Sequence, residues 1–122
     1  MPHTILVVED DLDLREVLVA TLTAAGFTAV ACGDGAQVLG LIQQHAPALL
    51  ILDLQLPGVN GWKLCHLIRA NPAIATLPII ALSGLIEEDS ASSPTDRFDY
   101  MIAKPFDPDA LVNRVRKLLQ PH

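Results

Sequence analysis

Glu9 and Asp10, Asp53, Ser83 and Lys104 each stand at the end of a short apolar run. Three carboxylates, a hydroxyl and an ammonium are the groups that phosphoryl chemistry uses. Gathered in one place, ionised carboxylates repel one another and call for a cation. A hard divalent ion with oxygen ligands meets that need, and Mg²⁺ prefers one or two carboxylates together with waters and phosphate oxygens. Lys104 would add a second positive charge and Ser83 a hydroxyl donor. Set around a carboxylate, such groups make a place where a phosphoryl group can be transferred to Asp53. Their part would be to neutralise charge on the transferring oxygens.

Asp53 is the centre of this set because of the stretch that delivers it. Residues 49–58 read L-L-I-L-D-L-Q-L-P-G, an unbroken apolar run into the aspartate followed by a Pro-Gly turn. Such a run suits a strand buried on both faces of a parallel sheet. A charged group there is expensive to bury unpaired, so Asp53 should emerge at the carboxyl edge, where open α/β sheets place their ligands. Taken singly, the polar residues have ordinary roles. Asp11 or Asp13 starts a helix, Ser83 belongs to a turn, and Lys104 is a solvated charge. Gln55 reads as a surface side chain whose backbone carbonyl matters more.

The elements that must position these groups follow from the apolar pattern. Residues 5–8 (I-L-V-V) form a first strand, and Leu14, Val17, Leu18, Leu22 and Ala25 one face of a first helix ended by Gly26. Residues 27–32 give a second strand, residues 33–35 a turn, and Val38, Leu39 and Ile42 a second helix stopped by Pro47. Residues 61–70 give a third helix with Leu64, Cys65 and Ile68 inward; residues 77–82 and 100–103 give the fourth and fifth strands. The final helix has a clear start: Asp107 as N-cap, Pro108 in the first turn, Asp109 at the positive end of the dipole. Its buried face is Leu111, Val115, Leu118 and Leu119. Five β-α units imply a parallel sheet with helices on both sides and right-handed crossovers. Residues 87–98 should hold the fourth helix, but their serines, Pro94 and missing apolar face predict a short or irregular one.

Composition narrows the class. At 122 residues the chain is expected to be one domain spanning 1–122, with no effector domain and no internal repeat beyond the β-α units. A net charge of -6 argues against nucleic-acid binding by this domain. Cys32 and Cys65 are too few and too far apart for a disulfide framework or a zinc site, and read as reduced core thiols. No apolar run approaches the length of a membrane span, and the expected location is the cytoplasm.

Four segments in order resemble the receiver domain of two-component response regulators. They are V-V-E-D-D at 7–11, L-D-L-Q-L-P-G-V-N-G at 52–61, A-L-S-G at 81–84 and K-P-F at 104–106. The resemblance implies a doubly wound, flavodoxin-like fold of strand order 2-1-3-4-5. It implies that Asp53 takes a phosphoryl group from a phosphohistidine of a histidine kinase or histidine phosphotransfer protein. Asp10, Asp53 and the Gln55 carbonyl would hold Mg²⁺ or Mn²⁺ directly, and Glu9 through a water. Ser83 and Lys104 would hold the phosphoryl oxygens, and Lys104–Pro105 would be a cis peptide. Such a domain is a signalling phosphoacceptor, not an enzyme, and its downstream protein is not named by the sequence. Two departures stand out. The family's switch aromatic is replaced by Met101, with Tyr100 one place too early and on the other side of the strand. The fourth helix is also degraded, and both departures fall on the surface receivers commonly use for partners.

Three other readings compete. A receiver-like interaction module without a working switch is favoured by Met101 and the poor fourth helix. A phosphatase of the haloacid dehalogenase type needs a second aspartate two residues after the nucleophile, where this chain has Gln55. A flavin or nucleotide binder wants glycines and hydroxyls after the first strand, where Glu9, Asp10 and Asp11 would repel a phosphate.

Overall fold

A computed structural model describes residues 3–84 and 98–120. The elements run β1 (Thr4–Val8), α1 (Leu12–Ala24), β2 (Thr28–Cys32), a 3₁₀ turn (Gly35–Gln37), α2 (Val38–His45) and β3 (Leu49–Asp53). They continue with α3 (Gly61–Ala70), β4 (Ile79–Ser83), β5 (Tyr100–Ala103) and a C-terminal helix, α4 (Pro108–Leu119). All strand pairs are parallel, in the order β2-β1-β3-β4-β5, so the fold is the expected doubly wound one. The short or irregular helix expected at 87–98 lies, Phe98 apart, outside the described residues.

Burial follows strand position. Every residue of β3 and β4 is buried, whereas β2 and β5, at the edges, are mostly half-buried or exposed. The two-residue period of a strand splits the central sheet into two cores. Leu6, Val8, Leu50, Leu52, Ile79 and Ala81 pack under α2 and α3, on Val38, Ile42, Leu64 and Ile68. Ile5, Val7, Leu49, Ile51, Ile80 and Leu82 pack under α1 and α4, on Leu18, Leu22, Leu111 and Val115. Cutting a fully buried residue such as Ile51 to alanine costs about 2–5 kcal/mol. Three helices start on side-chain caps. Asp11 accepts from the N–H groups of Asp13 and Leu14, Asn60 from those of Trp62 and Lys63, and Asp107 from that of Asp109.

Some expectations shift. The apolar stripes of the first two helices are wider than their contacts: Val17 is 47% and Leu39 41% exposed. Each lies one residue, about 100° of helix, from a neighbour that faces the sheet, Leu18 or Val38. The fourth strand begins at Ile79, not 77, because the Leu77 N–H turns back to the Ile74 carbonyl and Pro78 has no N–H to give. Cys32 and Cys65 are buried and free of disulfides. Among the described residues, no helix is long and apolar enough to cross a membrane.

Candidate functional site

Register brings the polar residues to one edge. Val8 pairs with Cys32 and Leu52, Asp53 with Leu82, and Ser83 with Ala103. Glu9, Asp53, Ser83 and Lys104 therefore leave four adjacent strands at the same level. Backbone bonds extend the sheet past its formal end. Glu9 N donates to the Cys32 carbonyl at 3.1 Å, Leu54 N to Leu82 at 3.0 Å, and Lys104 N to Ser83 at 2.9 Å.

Lys104 is the hub. Its Nζ lies 2.6 Å from Glu9 Oε1 and 2.9 Å from Asp53 Oδ2. Glu9 is fully buried, Asp53 is 2% exposed and so is Ser83. The remaining oxygens are occupied by nearby groups. Asp53 Oδ1 accepts from Gln55 N at 2.9 Å, and Glu9 Oε2 from Asp11 N at 3.2 Å. Asp10 is exposed, yet one carboxylate oxygen each of Glu9, Asp10 and Asp53 lie within 4.8 Å of one another. The hard oxygen donors of that acidic cluster suit a divalent ion such as Mg²⁺.

The two buried carboxyls are driven apart. Burial, with Asp53 adding to it, pushes Glu9 up from 4.5 to about 7 against the pull of Lys104. Burial opposes the charge on Asp53 too, but hydrogen bonds from Lys104, the Gln55 N–H and Glu9 outweigh it, and its carboxyl sits below the ordinary 3.8. Burial likewise disfavours the Lys104 ammonium, yet its two carboxylate partners win and hold it above 10.5. At neutral pH Asp53 is thus ionised beside a charged lysine, while Glu9 is near its titration point. Two carboxyls separated in this way are the mark of a division of roles.

Two contributors escaped the sequence reading. Arg15, on α1, donates from Nη1 to the Glu9 carbonyl at 2.9 Å. A Cβ at Gly33 would meet that guanidinium, which would have to shift to make room. The signal was a basic residue one turn into the helix that follows the acidic pair. The Gln55 side chain, although exposed as a residue, is not merely solvated: Nε2 donates to Ser83 Oγ at 3.0 Å and Oε1 accepts from Gly84 N at 3.0 Å. A carboxamide two residues beyond Asp53 was the clue to it.

The Lys104–Pro105 peptide is cis. Met101 packs against the core beneath α2 and α3, alongside Phe98, whose ring lies 5.5 Å from that of Trp62. Tyr100 is 38% exposed and carries the Arg114 guanidinium 3.8 Å above its ring, on the α4 side. The tyrosine and the methionine thus point to opposite faces of β5.

Comparison with known proteins agrees with this geometry. Residues 5–116 match the response regulator receiver domain. The DNA-binding response regulator MtrA of Mycolicibacterium paratuberculosis is 39% identical over 98% of this chain and 52% of its own length. The chain spans about half the length of the curated relatives it matches. A candidate response regulator of Chloroflexus aurantiacus superposes with a TM-score of 0.90 at 35% identity, covering 98% of both chains. The chemotaxis response regulator CheY4 of Vibrio cholerae gives 0.88 at 22% identity over 98% of this chain and all of its own, a likeness of fold alone. With a family match across nearly its whole length, this chain belongs to the response regulator receiver domains of two-component signalling.

Proposed function

We propose that Asp53 is a phosphoacceptor, taking its phosphoryl group from a phosphohistidine on a histidine kinase or a histidine phosphotransfer protein. The observation that carries this is the pairing of an ionised, buried Asp53 with Lys104 Nζ at 2.9 Å, beside an acidic cluster at the carboxyl edge of the sheet. An Asp53 oxygen attacks phosphorus, a P–O bond forms as the P–N bond breaks, and the imidazole nitrogen leaves with the electron pair. The product is an acyl phosphate. Lys104 stays charged through this step and faces the oxygens on which negative charge is carried. The Ser83 hydroxyl stands at the neighbouring strand end to donate to the same group.

Asp10, Asp53 and the Gln55 carbonyl would hold Mg²⁺ or Mn²⁺, with Glu9 behind them through a water. When bound, the ion supplies positive charge that offsets both the acidic cluster and the phosphoryl oxygens. Glu9, pushed up to about 7 by burial, bears the electrostatic load that a cation would relieve. The protein would act in the cytoplasm, passing its state to a downstream protein by contact or phosphotransfer. A phosphatase reading is disfavoured by Gln55, which offers a carboxamide where a second carboxylic acid is needed.

Met101 in place of an aromatic supports a second reading, an interaction module whose output does not depend on phosphorylation. Incubation with phosphoramidate and Mg²⁺, followed by intact mass, separates the two. The proposal expects a gain of one phosphoryl group in the wild type and none in Asp53→Asn. An unmodified wild type would leave the interaction module as the better account.

A further inference from the structure

The Gln55 carboxamide reaches from the β3 end to the β4 end and bonds two groups there at once. Its Nε2 donates to Ser83 Oγ and its Oε1 accepts the Gly84 N–H, each at 3.0 Å. The same residue's backbone N–H holds Asp53 Oδ1 at 2.9 Å. One residue thereby grips the acceptor carboxylate with its main chain and the facing hydroxyl and amide with its side chain. Ser83 is 2% exposed, so its hydroxyl cannot exchange freely with water.

We propose that the Gln55 carboxamide is a latch, closed on Ser83 and Gly84 while Asp53 is unmodified and opened by a phosphoryl group on Asp53. The inference rests on the reading of Asp53 as phosphoacceptor. A phosphoryl group has three oxygens to satisfy, and Lys104 approaches from the β5 side only. The end of β4 offers the Ser83 hydroxyl and the Gly84 N–H. The Gly84 N–H is already given to Gln55 Oε1, and the Ser83 hydroxyl is oriented by the proton it accepts from Nε2. The Ser83 oxygen can go on accepting from Nε2 while its own proton turns to the phosphoryl group, but the Gly84 N–H has one proton to give, so a phosphoryl oxygen that takes it releases Gln55 Oε1. Because the latch joins the residues at the ends of β3 and β4, its release is a conformational signal that does not involve the Met101 position.

The competition fixes the sign of the effect. Each hydrogen bond that must be surrendered is worth about a fivefold factor in an equilibrium. Removing the latch should therefore tighten binding of a phosphoryl mimic. The test measures beryllofluoride affinity at fixed Mg²⁺ for wild type, Gln55→Ala and Gln55→Met, the last keeping the bulk of the side chain without its hydrogen bonds. Amide exchange at Gly84 is followed by NMR in parallel. The latch predicts about fivefold tighter beryllofluoride binding in both variants, the factor for the one Gly84 bond surrendered. It also predicts faster Gly84 exchange in both variants without the mimic, and release of the wild-type Gln55 side-chain amide when the mimic binds. Unchanged or weaker affinity in both variants, tightening in Gln55→Ala alone, or a Gln55 amide that stays ordered with the mimic bound would overturn the latch and leave the phosphoacceptor reading intact. A wild type that binds no beryllofluoride at Asp53 would overturn both.

Discussion

Replacing Lys104 with methionine removes the ammonium that sits 2.6 Å from Glu9 and 2.9 Å from Asp53 while keeping most of the side chain's bulk. The consequence depends on pH, and its sign follows from Glu9. In the wild type Glu9 titrates near 7 instead of 4.5, so between these values the folded protein holds a proton that the unfolded chain has released. Stability therefore falls as pH rises through that window, by about 3 kcal/mol in all, and levels off above 7. Without Lys104 the buried Glu9 keeps the Asp11 N–H to favour its charge while Asp53 still opposes it, so its pKa climbs further and the fall continues past 7. From pH 7 to 8 that continuation is worth about 1.4 kcal/mol. Asp53 and Lys104 contribute no slope of their own here in the wild type. Asp53 is depressed from 3.8, so its stabilisation is lost only below that value; Lys104 is raised from 10.5, so its own is lost only above. The lost hydrogen bond to Asp53 removes about 1.5–3 kcal/mol at either pH. Urea unfolding in the presence of a chelator should find Lys104→Met less stable than wild type by about 2–3 kcal/mol at pH 6 and about 3–4 kcal/mol at pH 8. An equal deficit at both pH values would refute the assignment of Lys104 as the counterion that governs Glu9.

Other perturbations give distinct signatures. Mg²⁺ should raise the melting temperature by linkage, and Asp10→Asn should lose most of that rise; an undiminished rise in the variant would contradict the placing of Asp10 in the metal site. Gly61→Ala would put a Cβ 2.6 Å from the Leu54 Cα, next to Asp53, so about 1–3 kcal/mol of stability and a large part of the phosphorylation rate should go together. Unfolding and phosphoramidate uptake, measured on the same preparation, check the pair. Arg69 donates to the carbonyls of Ala75 and Leu77 at 3.2 and 2.7 Å and pairs with Asp99 at 3.0 Å, at the opposite edge of the sheet. Arg69→Ala should cost about 1–3 kcal/mol in stability and leave phosphoramidate uptake unchanged below the melting transition.

The parts legible in the sequence were those fixed by local pattern. The unbroken apolar run of β3 marks a strand buried on both faces, and it is wholly buried. The Asp107-Pro108-Asp109 start of α4 is local chemistry and appears as expected, and α3 has the expected bounds, 61–70. The gathering of Glu9, Asp53, Ser83 and Lys104 followed from topology alone, since parallel strands end at one edge. What the sequence could not display was set by groups distant along the chain. Gln55 looks like a solvated side chain until β4 is placed beside β3, and Arg15 looks like an ordinary helix residue until its guanidinium meets the Glu9 carbonyl. Val17 and Leu39 fit a helical stripe by spacing, but only the width of the packed contact decides which members of a stripe are covered. The beginning of β4 was misplaced because Leu77 is apolar for the turn it closes with Ile74, not for the sheet.

The most direct test of the central claim is to locate the modification after phosphoramidate treatment in Mg²⁺. Borohydride reduces an acyl phosphate of aspartate to homoserine, which peptide mapping can assign to a single residue. The account predicts homoserine at position 53 and at no other position, abolished when Mg²⁺ is chelated. Homoserine at Asp10 or elsewhere, or an intact residue 53 in a chain that carries the phosphoryl group, would contradict it.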